Sequence, residues 1–215
     1  MKISDNFKYK GLRNKLVKEL KIKGIKDHNV LSAIKSVPRH FFVDDALLEL
    51  CYLDKALPIG NKQTISQPYT VAFQSSLLDV KPNDKIMEIG TGSGYQAAIL
   101  SFMKAQVYTI ERNRFLFRKT KKILFNLGYG VLTFYGDGYN GLPKLAPFDK
   151  ILITAAAPEI PVFLFSQLKI GGILVVPVGG SVNQEMLLIK KLSDKKMDIT
   201  KHGVFSFVPM LKNKS

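Results

Sequence analysis

A glycine-rich segment, EIGTGSG at residues 88–94, directly follows a short apolar run. Glycines at such a turn let the backbone bend tightly and approach a ligand, at the place where open α/β sheets bind nucleotides. A dinucleotide site would need G-x-G-x-x-G, but Tyr95 stands at the last glycine position and the spacing is G-x-G-x-G. An acidic residue two positions before the first glycine suits a cationic ligand better than a pyrophosphate. We therefore predict that Glu88, Gly90, Gly92 and Gly94 bind S-adenosylmethionine, and NAD is disfavoured.

Two further acidic residues follow the next two predicted strands. Glu111 ends the second strand, from which a carboxylate can accept both hydroxyl groups of an adenosine ribose. Asp137, flanked by glycines, ends the third strand, where it can accept a hydrogen bond from the adenine amino group. Each has a simpler alternative, since Glu111 can pair with a neighbouring arginine and Asp137 can be a turn residue. Because three carboxylates follow three successive strands, we favour the cofactor interpretation.

The region after the fourth predicted strand bears on the methyl acceptor. Methyltransferases that modify exocyclic amines of bases usually carry [DN]-P-P-[YF] there, whereas this chain has TAAAP at residues 154–158. Methylation of C5 of a pyrimidine needs a cysteine nucleophile near that loop, and the only thiol, Cys51, lies far upstream. These observations argue against both base-modifying activities, while methylation of RNA ribose or of ring nitrogens remains an alternative.

The elements that must position these residues fall into two regions. Residues 1–80 carry two amphipathic helical patterns and a third helix that begins at Pro68. The predicted strands of the remaining chain are residues 85–89, 106–110, 131–135, 150–154, 173–178, 185–191 and 199–207, with a helix at residues 160–168. Helices separate most of the earlier strands, whereas the last two strands lack intervening helices. This pattern predicts an α/β fold: a Rossmann-like, doubly wound, mostly parallel sheet with an antiparallel edge. We expect a single methyltransferase domain in which residues 1–80 form an N-terminal helical cap and residues 81–215 the cofactor-binding core.

Composition indicates a globular protein. The chain has 215 residues, of which 46% are hydrophobic, enough for a sizeable buried core. A single cysteine rules out an intramolecular disulfide framework and fits a reducing compartment. No apolar run approaches the roughly 20 residues that span a bilayer, and the polar, lysine-rich N-terminus lacks the apolar core of a secretory signal. We expect a cytoplasmic protein with no membrane partner.

The formal net charge of +15 raises the question of a nucleic-acid partner. Residues 1–40 hold eleven Lys or Arg against three acidic residues, a net charge of +8. Most basic residues fall on polar faces of predicted helices, and lysine dominates. A solvated surface is the simpler explanation, so attraction of RNA or of acidic substrates is the less favoured alternative.

Several segments closely resemble the protein-L-isoaspartate O-methyltransferase family. The most specific is QTISQPY at residues 63–69, whereas the glycine motif is shared by many methyltransferases. The other matching segments are VPR at 37–39, LPIG at 57–60, GDG at 136–138, APFD at 146–149, residues 154–161 and 171–179, and FVP at 207–209. The resemblance extends from about residue 10 to the end of the chain.

The resemblance implies a methyl transfer from S-adenosylmethionine to the free carboxylate of an L-isoaspartyl or D-aspartyl residue in a damaged protein. The product of the cofactor is S-adenosylhomocysteine, and no metal is required. General chemistry agrees, because a carboxylate has a pKa of ~4, is already an anion at neutral pH and needs no general base. The three histidines, His28, His40 and His202, match no motif of a catalytic base.

The resemblance also implies roles for residues around the QTISQPY segment. Ser66 matches the family's active-site serine, whose hydroxyl would orient the acceptor carboxylate, although a helix N-cap is an alternative role. The remaining implied contacts are Thr64, Ile65 and Gly138 with the cofactor, and Gln67, Val208 and Pro209 with the substrate.

Two other functions remain to be separated from this one. An RNA methyltransferase would use the positive surface, and a non-catalytic scaffold would bind the cofactor without transferring its methyl group. A monomer is expected from the family alone.

Overall fold

The computed structural model describes residues 4–180 and 182–215, which form six α-helices and nine β-strands joined by short 3₁₀ turns. The helices are α1 Phe7–Ile22, α2 His28–Ser36, α3 Pro68–Leu78, α4 Tyr95–Phe102, α5 Arg114–Asn126 and α6 Val162–Phe165. The strands are β1 Leu57–Gly60, β2 Gln63–Ile65, β3 Lys85–Ile89, β4 Gln106–Glu111, β5 Val131–Tyr135, β6 Phe148–Ile153, β7 Leu168–Gly179, β8 Gln184–Lys191 and β9 Met197–Phe205. None of these helices is long and apolar enough to cross a membrane.

Seven strands form one sheet in the order β5-β4-β3-β6-β7-β8-β9. The pairs among β3 to β7 are parallel, whereas β8 and β9 add to the edge in antiparallel fashion. The predicted doubly wound sheet with an antiparallel edge is therefore confirmed. The strand order changes direction at β3 and β6, and the carboxyl ends of strands at such a switch point border a ligand crevice.

The cap helices share their core with one face of the sheet. Asp27 caps α2, because its carboxylate accepts hydrogen bonds from the N–H groups of Asn29 and Val30, and the helix then buries Leu31 and Ile34. These side chains belong to a continuous apolar cluster that reaches Ile86 of β3. The cap contacts the sheet through α3, which packs on β6 and β7, next to the strand that carries Glu88.

Two elements differ from the sequence-based expectation. The helix predicted at residues 160–168 is only the single turn of α6, because β7 begins at Leu168, where it pairs with Phe148 of β6. The hairpin of β1 and β2 was not predicted; its turn residues Asn61 and Lys62 adopt φ of 51° and 57°, the left-handed conformation that two-residue hairpin turns favour. This hairpin places Thr64 and Ile65 near the carboxyl ends of β3 and β4.

Candidate active site

The glycine loop between β3 and α4 is held against the neighbouring strands. The Gly90 N–H donates to the Ile110 carbonyl of β4 at 3.0 Å. Gly90 has φ of 97°, and a Cβ atom there would lie 2.5 Å from Thr154 Oγ1, so only glycine fits without displacing Thr154. The Thr154 hydroxyl is held in place, because it donates to the carbonyl oxygens of Ile89 and Gly90. The loop is consequently preformed, with its backbone close to the crevice.

A cavity of about 400 Å³ opens at the carboxyl ends of β3 and β4. Its volume lies within the range of sites for small ligands and cofactors. The predicted residues that line it are Thr64, Ile65, Gly90, Gly92, Glu111, Gly138, Val208 and Pro209, together with Ser66. Apolar walls come from Ile89, Ile110 and Met210, which suit the faces of an adenine ring.

Glu111 supplies the carboxylate of this cavity. Its side chain is buried, and its two oxygens accept hydrogen bonds from the N–H groups of Gly92 and Asn113 at 2.9 and 2.8 Å. Burial raises the pKa of Glu111, while these backbone donors act in the opposite direction. A carboxylate oriented in this way retains lone pairs for ribose hydroxyl groups. The glycine backbone, the carboxylate and the apolar walls together fit S-adenosylmethionine.

A second cavity, of about 710 Å³, adjoins the first. The residues that line both cavities are Thr64, Ser66, Thr154 and Val208. Gln67 lines the second cavity only, and Pro209 lines the first only. Ligands bound in the two cavities would therefore contact each other beside Ser66.

Ser66 is not the cap of α3. The N-cap position is Gln67, without a side-chain capping bond, and the N–H of Tyr69 instead donates to the Asp54 carboxylate at 2.7 Å. The Gln67 amide donates to the same carboxylate, so Asp54 holds the start of α3 from outside the helix. This task falls to Asp54, whereas Ser66 lines both cavities where they adjoin.

Arg39 fixes the backbone of Ser66. Its guanidinium is fully buried and donates to the carbonyls of Ser66 and Cys51 at 2.8 and 2.9 Å. It also stacks 4.9 Å from the ring centroid of Tyr95, the first residue after the glycine loop. One buried cation therefore joins the cap, the Ser66 segment and the start of α4.

Comparison with known proteins agrees with this architecture. Residues 11–215 match the family model of protein-L-isoaspartate(D-aspartate) O-methyltransferase. The chain belongs to this family. A protein-L-isoaspartate O-methyltransferase from Christiangramia forsetii is 53% identical over 215 residues, covering 99% of this chain and 100% of the relative. One from Cytophaga hutchinsonii is 53% identical over 209 residues, covering 97% and 95%.

Solved structures of the family share the fold. A protein-L-isoaspartate O-methyltransferase structure superposes on this methyltransferase with a TM-score of 0.85 at 31% identity, covering 94% of this chain and 66% of the other. A structure from Plasmodium falciparum, described as a protein-L-isoaspartate O-methyltransferase in complex with S-adenosyl-L-homocysteine, has the same fold, with a TM-score of 0.82 at 24% identity over 94% of this chain and 99% of the other. The resemblance recognised in the sequence is confirmed.

Three of the predicted cofactor residues do not line the first cavity. Glu88 is fully buried and accepts a hydrogen bond from Thr109, because successive side chains of β3 point to opposite faces and Ile89 takes the cavity side. A Cβ atom at Gly94 would contact Thr120 and Leu124, so this glycine permits close packing of α4 on α5. These contacts give Glu88 and Gly94 structural roles in the loop, and direct contact of either residue with the cofactor remains a prediction.

Asp137 is the third of these residues. Its carboxylate accepts hydrogen bonds from the N–H groups of Tyr139 and Asn213 at 2.9 and 2.7 Å, while its neighbour Gly138 lines the cavity. Asp137 thus ties the C-terminal segment to the turn beneath the predicted adenine position. Its contact with the adenine amino group remains a prediction, and these two backbone bonds give it an additional, indirect effect on the cofactor.

Replacement of Asp137 by alanine is expected to weaken cofactor binding about tenfold, since hydrogen bonds to a charged group contribute about 1.5–3 kcal/mol each and part of this holds the site together. Calorimetric titration with S-adenosylhomocysteine measures the change in Kd. Asp198→Ala, which removes an exposed carboxylate from β9, serves as the control and should bind normally. A normal Kd for Asp137→Ala would show that this turn does not support the adenine.

Sequence reasoning did not find Arg39 as a functional residue, nor Asp54 or Thr154. Arg39 lies in a segment that matched the family, yet nothing local indicates that it binds carbonyls 12 and 27 residues away. Asp54 and Thr154 likewise act on segments 15 and 64 residues distant. No sequence signal identifies such contacts, because each joins two segments that only the folding of the cap or of the core brings together.

Proposed function

We propose that this enzyme transfers a methyl group from S-adenosylmethionine to the free carboxylate of L-isoaspartyl residues, and of D-aspartyl residues, in damaged proteins and peptides. The observation that carries the proposal is the junction of two cavities at Ser66, one suited to the cofactor and one open to a peptide. Family membership over residues 11–215 supports the same reaction.

We assign the first cavity to the cofactor and the second to the substrate. Glu111 would accept the ribose hydroxyl groups, with the backbone at Gly90, Gly92 and Gly138 close to the ligand. The hairpin residues Thr64 and Ile65 would cover it from the cap side. On the substrate side, Gln67 and Val208 would contact the peptide, whereas the position of Pro209 favours a contact near the cofactor.

Bound S-adenosylmethionine supplies an electrophilic methyl group on a sulfonium. The protein's task is to hold the acceptor carboxylate in line with that group and to exclude water. The Ser66 hydroxyl would donate a hydrogen bond to one carboxylate oxygen and leave the other free to attack. Arg39 and Asp54 keep Ser66 in this position, so that little reorganisation precedes the reaction.

No proton needs to be removed from the acceptor carboxylate. The surroundings of His40 and His202 are consistent with this, because neither is placed as a base at the reacting centre. Burial lowers the pKa of His40 to about 4, and its Nδ1 bonds the Tyr52 hydroxyl within the cap. His202 lines the second cavity, but its Nε2 lies 2.8 Å from the Thr200 hydroxyl. A carboxylate nucleophile makes a base at the reacting centre unnecessary.

We further propose a single domain, a monomeric enzyme and a cytoplasmic location. The apolar cluster shared by residues on both sides of position 80 supports one domain. Residues of one chain line both cavities, which supports a functional monomer. Cys51 is a buried free thiol, which is consistent with a reducing compartment.

One assay separates the candidate functions. Labelled S-adenosylmethionine is offered with an isoaspartyl peptide, with its normal aspartyl counterpart and with bulk RNA. We expect base-labile label in the isoaspartyl peptide alone, because a carboxyl methyl ester hydrolyses readily. Label in RNA alone would contradict the proposal, and cofactor binding without transfer to any of the three would indicate a scaffold.

A further inference from the structure

Three aromatic rings form one wall of the second cavity. Tyr69 and Phe73 lie four residues apart on α3 and so face the same side of the helix, and Phe205 comes from the end of β9. The centroid of Phe205 lies 5.0 Å from that of Phe73 and 6.4 Å from that of Tyr69, while Tyr69 and Phe73 are 5.8 Å apart. All three side chains line the cavity and are only half-buried, so part of each ring is open to a ligand. We call Tyr69, Phe73 and Phe205 the aromatic wall.

The rest of the cavity is lined by both polar and apolar residues, and the described part of the chain contributes no permanently charged side chain to it. Among the described residues that line it there is no Lys, Arg, Asp or Glu, although the protein has a net charge of +15. Ser66 and Gln67, which lead into α3, connect the aromatic wall to the junction with the cofactor cavity. A peptide whose isoaspartyl carboxylate reaches Ser66 would therefore have a neighbouring side chain close to the wall.

We infer that the aromatic wall is a subsite for an apolar side chain adjoining the isoaspartyl residue, so that the enzyme prefers damaged sites flanked by Leu, Met or Phe. This inference rests on the proposed function. An apolar side chain gains by leaving water and by contact with the rings. A charged side chain would lose hydration without meeting an opposite charge among the lining residues, and that loss is unfavourable.

The test compares short isoaspartyl peptides that differ at one flanking residue, either before or after the isoaspartate: Leu, Phe, Ser, Glu or Lys. At one of the two positions we expect kcat/KM to be about tenfold higher with Leu or Phe than with Ser, and lower still with Glu, since apolar pockets discriminate by factors of this order. Equal values for Leu, Ser and Glu at both positions would overturn the inference.

Variants of the wall connect the preference to these rings. Phe205→Ala and the milder Phe73→Leu should each reduce the ratio of kcat/KM between Leu and Ser peptides. Phe115→Ala, which removes an exposed ring from α5, should leave that ratio unchanged. If both wall variants keep the wild-type ratio, other residues cause the preference and the inference is wrong. Equal methylation of every isoaspartyl peptide would refute only the subsite, whereas methylation of none would refute the proposed function with it.

Discussion

Replacement of Ser66 by alanine is expected to lower kcat for an isoaspartyl peptide by about tenfold to 100-fold and to change the Kd of S-adenosylmethionine by less than about twofold. A hydrogen bond to a charged group contributes about 1.5–3 kcal/mol, which corresponds to this range of rates when the bond orients the reacting carboxylate. The cofactor keeps its contacts with the glycine loop and Glu111, so its affinity has no reason to fall. Steady-state kinetics together with calorimetry separate the two quantities.

Ser76→Ala is the matched control for this experiment. Ser76 lies in the same segment of chain, but its hydroxyl donates to the Ala72 carbonyl within α3, away from the cavities. Its replacement should preserve both kcat and cofactor affinity. If Ser66→Ala also turned over at the normal rate, the acceptor would have to be oriented by other groups, and our placement of the reacting centre would fail.

Glu88→Gln is expected to stabilise the protein at alkaline pH. Burial, opposed by a hydrogen bond from Thr109, raises the pKa of Glu88 from an ordinary value of 4.5 to about 8. The folded protein therefore holds a proton that the unfolded chain releases, and the free energy of unfolding falls as pH rises from about 4.5 to 8. Glutamine keeps the shape and is always neutral, so it avoids this loss, which amounts to roughly 3–5 kcal/mol above pH 8.

Thermal unfolding between pH 5 and pH 9 tests this expectation. The two proteins should melt at similar temperatures at pH 5, and the variant should melt about 10 °C higher at pH 9. Glu159→Gln, which changes an exposed carboxylate, should follow the wild type throughout. A constant difference between Glu88→Gln and wild type over this pH range would mean that Glu88 does not bind the proton.

The features that the sequence alone determined are local ones. The glycine loop could be recognised because its tight turn requires backbone angles that only glycine adopts readily, and this requirement is visible in seven consecutive residues. The alternation of strands and helices likewise depends on short-range hydrophobic spacing, and it predicted the sheet and its antiparallel edge. The segment at residues 63–69 identified the family, since it is contiguous and specific.

Only the tertiary structure decided how these pieces meet. Glu88 belongs to the recognised motif, yet the pairing of β3 with its neighbours buries the Glu88 side chain in the core. The next side chain, Ile89, lines the cavity instead. Ser66 was indicated by resemblance, but its freedom from a capping role depends on Asp54, and its rigidity depends on Arg39. These contacts join segments that are distant along the chain. Their formation depends on the tertiary packing of those segments, which short-range sequence patterns do not encode.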